Sequence, residues 1–186
     1  MKRKSEGFSN KILSSHGALG RREFLQSAIV GAGAAALGGA FTGQEASAKE
    51  GAKCEVLLLS CMDFRLLHHV ANQMVKLGHK EDYDHVILAG SSLGANNKVK
   101  PGWGQTFWDH VALAVGLHEV SKVVVIDHRS CGAYQKVFGR DAYAAKEKEH
   151  HTSQLQGLKK QIKRRHPTLN VELYLMDLSG NVEVIS

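Results

Sequence analysis

Two short runs of the chain are apolar at every position, Val56-Leu57-Leu58-Leu59 and Val123-Val124-Val125-Ile126, and they restrict the fold more than any other feature. A strand with one wet face alternates apolar and polar residues. A strand with no polar position is covered on both faces, which is the situation of a parallel sheet between layers of helices. Between the two runs, Leu66, Leu67, Val70, Met74 and Leu77 recur at helical spacing, and Gly78 stands where a helix-terminating glycine belongs. A further short apolar run covers 85–89 and ends at Gly90, and 106–117 repeats the helical spacing with Phe107, Val111, Ala114 and Val115 on one side. The polar stretch 142–165 reads as a helix with a solvated face. It is followed by a strand over 171–176, a turn at Ser179-Gly180-Asn181 and an edge strand over 182–185. Strands alternating with helices call for right-handed crossovers, so the expected fold class is α/β, with a mainly parallel central sheet of about five strands flanked by helices.

The first 48 residues follow a different logic. A basic, polar opening leads to Arg21-Arg22-Glu23-Phe24-Leu25, then to a run from Ala28 to Ala40 made almost only of Ala, Gly, Leu, Ile and Val, then to Ala46-Ser47-Ala48. That order matches a basic region, an apolar region and an A-x-A cleavage site. The paired arginines before Phe-Leu resemble the twin-arginine motif, which addresses folded cargo to its own translocase. The apolar segment is short and glycine-rich against the roughly 20 residues a membrane-spanning helix needs, so no stable membrane insertion is expected after cleavage. The expected organisation is a twin-arginine signal peptide over 1–48 and a single domain over 49–186, with a periplasmic or otherwise extracytoplasmic location.

This division also discounts the charge. The formal net charge is +6, but the leader holds six basic residues against three acidic ones, which leaves a modest balance for the domain. The basic run Lys159-Lys160-Gln161-Ile162-Lys163-Arg164-Arg165 has no interleaved aromatics and suits the solvated face and basic end of a helix, so no nucleic-acid partner is expected.

Two motifs fall at the carboxyl ends of expected strands: Cys61-Met62-Asp63-Phe64-Arg65 and His128-Arg129-Ser130-Cys131-Gly132. Ligands of open α/β sheets bind at these strand ends, near the point where the strand order reverses. Three cysteines are too few for a disulfide framework and suit a metal or catalytic role better. Two thiolates and one imidazole suit zinc, and three protein ligands with a fourth position open is the arrangement of catalytic zinc. An Arg fork holding a carboxylate beside such a site keeps that carboxylate ionised.

Cys-x-Asp-x-Arg followed some 60 residues later by His-x-x-Cys-Gly resembles the motif pair of the β-class carbonic anhydrases, and the resemblance extends over most of the domain. It implies Cys61, His128 and Cys131 as ligands of one Zn2+ per subunit. It implies a catalytic role for Asp63, which accepts a hydrogen bond from a zinc-bound hydroxide, and for Arg65, which keeps Asp63 from swinging onto the metal. The implied reaction is reversible hydration of CO2 to bicarbonate and a proton, in a homodimer or higher homo-oligomer. Two alternatives go with it: hydrolysis of carbonyl sulfide or carbon disulfide at the same site, and a zinc-binding relative without turnover.

The chain departs from that pattern near the expected site. Leu88 stands where family members commonly have Asn before Ala-Gly, Asp127 stands where they commonly have Gly before the zinc histidine, and where many members begin with helices, Cys54 and the first expected strand follow almost directly on the expected cleavage site. The cluster Gly102-Trp103-Gly104-Gln105-Thr106-Phe107-Trp108 is either a pocket lid or dimer contact, or a helix start with core aromatics. Cys54 is expected as a core thiol rather than a fourth ligand. Among the histidines, including His68-His69 and His150-His151, any exposed one near the pocket is a candidate proton carrier. Export and metal fit each other. A Cys2His site sent out unfolded would meet an oxidising compartment with bare thiols, whereas a domain folded and loaded first would not.

Overall fold

The computed structural model describes residues 52–186, so the leader, its twin arginines and the expected cleavage site lie outside the described residues. Eleven elements follow in order among the described residues. They are β1 (Val56–Ser60), α1 (Leu67–Lys76), β2 (Tyr83–Ile87), α2 (Ser92–Ala95), α3 (Trp103–His118), β3 (Lys122–His128), α4 (Gly132–Phe138), α5 (Arg140–Ala145), α6 (Glu147–Arg165), β4 (Asn170–Met176) and β5 (Val182–Val184). One five-stranded sheet has the order β2-β1-β3-β4-β5. The first four strands are parallel and β5 is antiparallel to β4. The expected α/β class and its mainly parallel sheet are what is found.

The strand order determines where the helices go. From β1 the chain steps to one side to make β2, then returns past β1 to make β3 on the other side, so right-handed crossovers must lay α1 and α3 on opposite faces. The core divides accordingly. Val56, Leu58, Val124 and Ile126 pack with Val70 and Met74 of α1 on one face. Leu57, Leu59, Val123 and Val125 pack with Phe107 and Val111 of α3 and with Leu155, Leu158 and Ile162 of α6 on the other. Each residue of the two uninterrupted apolar runs therefore has a hydrophobic layer to meet, which is why neither run contains a polar position.

Local chemistry sets the boundaries. At the end of α1, Gly78 adopts φ +89°, while its N–H bonds the Val75 carbonyl and that of His79 bonds the Met74 carbonyl. This pair of bonds is the Schellman closure, and the left-handed position is cheap only for glycine. In α3, Gly104 lies so close to the Ala95 carbonyl that a Cβ there would stand 2.7 Å from the oxygen. The Trp and Phe cluster around it resolves as a helix start with core aromatics. Phe107 is fully buried, Trp103 and Trp108 pack against the same core, and the Arg165 guanidinium lies 4.0 Å over the Trp108 ring. Compared with the sequence expectations, β2 starts and ends two residues earlier, α3 begins three residues earlier, β3 runs on through His128, and the short α4 had not been anticipated.

Candidate metal centre

Cys61 directly follows β1, His128 is the last residue of β3, and Cys131 stands at the head of α4. β1 and β3 are the adjacent strands at which the strand order reverses, so the two motifs meet in the crevice that this topology opens. All three side chains are buried, and one thiol sulfur from each cysteine and one ring nitrogen of His128 lie within 4.8 Å of one another, a group that could hold a metal ion.

His128 Nδ1 lies 2.8 Å from the Arg129 carbonyl oxygen and can only donate to it, which leaves Nε2 with its lone pair free. That Nε2 is buried without a hydrogen-bond partner, although buried polar atoms are rarely left unpaired. An unpaired imidazole nitrogen beside two sulfurs fits a borderline-soft metal such as zinc.

The sulfurs are electrostatically unequal. The thiol of Cys131 shares its proton with Cys61, and this, with the nearby His128 and the Gly90 N–H at 3.2 Å, pushes the Cys61 pKa down to about 4 despite burial. The same contact and burial push Cys131 up. Burial alone would lower His128, but its closeness to the Cys61 sulfur outweighs that and the net direction is up.

At the rim, Arg65 grips Asp63 with Nε on Oδ1 at 2.9 Å and Nη2 on Oδ2 at 2.6 Å, and the Arg65 N–H adds a third bond at 3.1 Å. The fork pushes Asp63 down to about 2. Asp63 Oδ2 stands 3.8 Å from His128 Nε2, beside the ligand group rather than within it. Arg65 Nη2 also donates to the Ser130 carbonyl at 3.3 Å, which ties the two motif loops together. Ser130 takes the left-handed φ of +56°, a costly position for a serine, and its N–H is held by Glu147 Oε1 at 2.6 Å.

Behind the centre lies a polar network that sequence reasoning missed. Asp127 is 1% exposed and accepts from Ser92 N at 3.0 Å, Ser92 Oγ at 2.7 Å, Tyr134 Oη at 2.6 Å and His151 Nδ1 at 2.9 Å. The His151 ring continues to Tyr143 Oη at 3.0 Å. That hydroxyl in turn accepts from the Cys131 N–H at 3.2 Å and donates to Glu147 at 2.7 Å. The aspartate that departs from the resembled pattern therefore joins Ser92, just past Leu88-Ala89-Gly90, to the loop that carries His128 and Cys131. One sequence signal did exist. His151 precedes Leu155, Leu158 and Ile162 at helical spacing, and all four are buried along α6. Cys54 is not part of this centre, since it precedes β1 at the opposite end of the strand.

A protein-family profile described as "Putative carbonic anhydrase" matches residues 51–186. An uncharacterized protein of Rickettsia bellii is 38% identical over 135 residues, spanning 72% of this chain and 82% of the relative. Among solved structures, a carbonic anhydrase from Glaciozyma antarctica aligns with a TM-score of 0.51 at 17% identity, over 77% of this chain and 89% of its own. One from Streptococcus mutans aligns with a TM-score of 0.50 at 17% identity, over 89% and 95%. At such identities the solved structures speak for the fold, and the profile speaks for the family. By that match, the chain belongs to the family described as "Putative carbonic anhydrase".

Proposed function

We propose that this chain is a zinc-dependent carbonic anhydrase, which reversibly hydrates CO2 to bicarbonate and a proton after export in folded form by the twin-arginine translocase. The observation that carries the reading is the buried, unpartnered Nε2 of His128 set against the sulfurs of Cys61 and Cys131. These three residues would hold one Zn2+ per subunit and leave a fourth position open. Bound there, zinc supplies the Lewis acidity that makes water a usable nucleophile at neutral pH.

The chain's own residues do the rest. Asp63, kept ionised by the Arg65 fork, accepts the proton of the attacking water as a hydrogen bond and turns its lone pair toward the carbon of CO2. Arg65 restrains that carboxylate from rotating onto the ligand group, and its bond to Ser130 fixes the spacing of the two loops. The Gly90 N–H stabilises the Cys61 thiolate, and the Arg129 carbonyl holds His128 in the required tautomer. Met62, Phe64 and Leu67 stand exposed beside these residues, Phe64 at 81%. Such an apolar rim favours a homodimer or higher homo-oligomer with the site near the seam. The periplasmic or otherwise extracytoplasmic location rests on Arg21-Arg22 and the apolar run that follows them.

The test is stopped-flow CO2 hydration with zinc content measured on the same sample, alongside Cys131→Ala and Asp63→Asn. The expected result is hydration that follows zinc, is lost with the metal in Cys131→Ala, and falls about 100-fold in Asp63→Asn with zinc retained. Zinc that depends on Cys131, with hydration no faster than buffer, overturns the reading. In that case, turnover of carbonyl sulfide or carbon disulfide assigns the site to those substrates, and none assigns it to metal binding without catalysis.

A further inference from the structure

A second group of ligating side chains lies at the other end of the sheet. Cys54 precedes β1, Asp84 is the second residue of β2, and His118 is the last residue of α3. The Cys54 sulfur, a carboxylate oxygen of Asp84 and a ring nitrogen of His118 lie within 4.8 Å of one another. Seven residues of extended chain, about 23 Å, separate Cys54 from Cys61, so the two groups are distinct.

The backbone fixes this group from three sides. The Cys54 N–H bonds the His118 carbonyl at 3.2 Å, Lys53 pairs with Glu119 at 2.6 Å, and the Glu55 N–H bonds Asp82 Oδ1 at 3.0 Å. Parallel pairing sets Leu57 opposite Asp84, which puts the carboxylate beside the start of β1. The side chains are held unequally. Asp84 and His118 meet at 2.8 Å, and the Cys54 sulfur has only a long 3.7 Å contact with the Val56 carbonyl. A cavity of about 210 Å³ opens beside Asp84 and His118, bounded also by His110, Leu113 and Leu117.

We propose that Cys54, Asp84 and His118 form a second divalent-metal site of zinc type, which clamps the start of β1 to β2 and α3. One sulfur, one nitrogen and one oxygen donor suit zinc and are a poor match for magnesium or calcium, which take oxygen. Zinc bonds of about 2.0–2.3 Å at tetrahedral angles put ligand atoms roughly 3.3–3.6 Å apart, so binding needs the Asp84–His118 contact to open slightly and Cys54 to close in. The cavity leaves room for water in the fourth position. A neighbouring cluster, Glu55, His79 and Asp82, makes a useful contrast. There Lys122 Nζ stands 3.3 Å from both Glu55 and His79, so an ammonium already supplies the positive charge. Among the described residues, Asp84 has no lysine or arginine partner.

The full-length chain, stripped of metal and titrated with Zn2+, is expected to retain two equivalents through gel filtration. Cys54→Ser, Asp84→Asn and His118→Ala are each expected to lower the count by one. Cys131→Ala is expected to lose a different equivalent and to keep the one that depends on Cys54. With Co2+, the thiolate charge-transfer absorption that persists in Cys131→Ala is expected to vanish when Cys54→Ser is added. Circular dichroism monitors folding, and Asp84→Asn, which preserves shape, stands in if the cysteine variant fails to fold. A zinc count unchanged by all three variants, or a Cys131→Ala protein that retains no zinc, overturns the second site. A count that falls with Cys54→Ser but not with Cys131→Ala supports it and overturns the first centre instead.

Discussion

Two aspartates stand at the carboxyl ends of the two central strands, Asp63 just past β1 and Asp127 near the end of β3, and each is paired, yet they do different work. Asp63 sits at the rim, is held by Arg65 two residues away, and takes all three of its bonds from that one neighbour. Asp127 sits inside and is held by Ser92, Tyr134 and His151 from three separate elements. A carboxylate held by one neighbour in its own motif can be exchanged with little effect on the fold. A node that gathers distant elements has no such freedom. The rim pair is thus local, whereas the rigidity of the frame behind it comes from distant parts of the chain.

Substitutions can break that comparison. The largest effect is expected from Asp127→Ala, which strands the Ser92, Tyr134 and His151 donors in the interior. Urea denaturation is expected to record a loss of about 3–5 kcal/mol. A loss below about 1 kcal/mol would mean that the network is ornamental. Tyr134→Phe removes one of the four bonds to Asp127 and is expected to cost about 1–2 kcal/mol by the same measurement. The smallest stability change is expected from Asp63→Asn, under about 1 kcal/mol, as for other pairs near the surface.

Acid sharpens the contrast further. The pKa of Asp63 is lowered on folding from its ordinary 3.8 to about 2, so its stabilising contribution is present above pH 3.8 and is lost as the pH falls through about 2. The acid limb of the stability curve between those values is therefore expected to flatten in Asp63→Asn. A limb unchanged from that of the native chain would show that the fork contributes nothing to folding.

The same two aspartates mark how far the sequence could be read. β1 and β3 were legible because burial on both faces removes every polar residue from 56–59 and 123–126, and the motifs were legible because the ligands cluster within a few positions of a strand end. β2 was displaced by two residues because it is an edge strand with exposed His85 and Ile87, so apolar character did not mark its start. The short α4 was hidden because only Tyr134 of its seven residues is buried. The Asp127 network was illegible because its members are far apart in sequence and each, read alone, is an ordinary surface residue. The adjacent histidines 150 and 151 look alike in sequence, yet one stacks on Phe138 near the surface and the other is wholly enclosed.

The order of the strands has a further consequence for how the protein is made. β1 lies between β2 and β3, so its second edge stays open until β3 has been synthesised. At roughly 5–20 residues per second, the approximately 70 residues between Cys61 and Cys131 take the ribosome about 4–14 s. For that interval the first thiol of the centre is on a nascent chain with neither His128 nor Cys131 in existence, so whatever keeps it reduced must act during translation rather than after it.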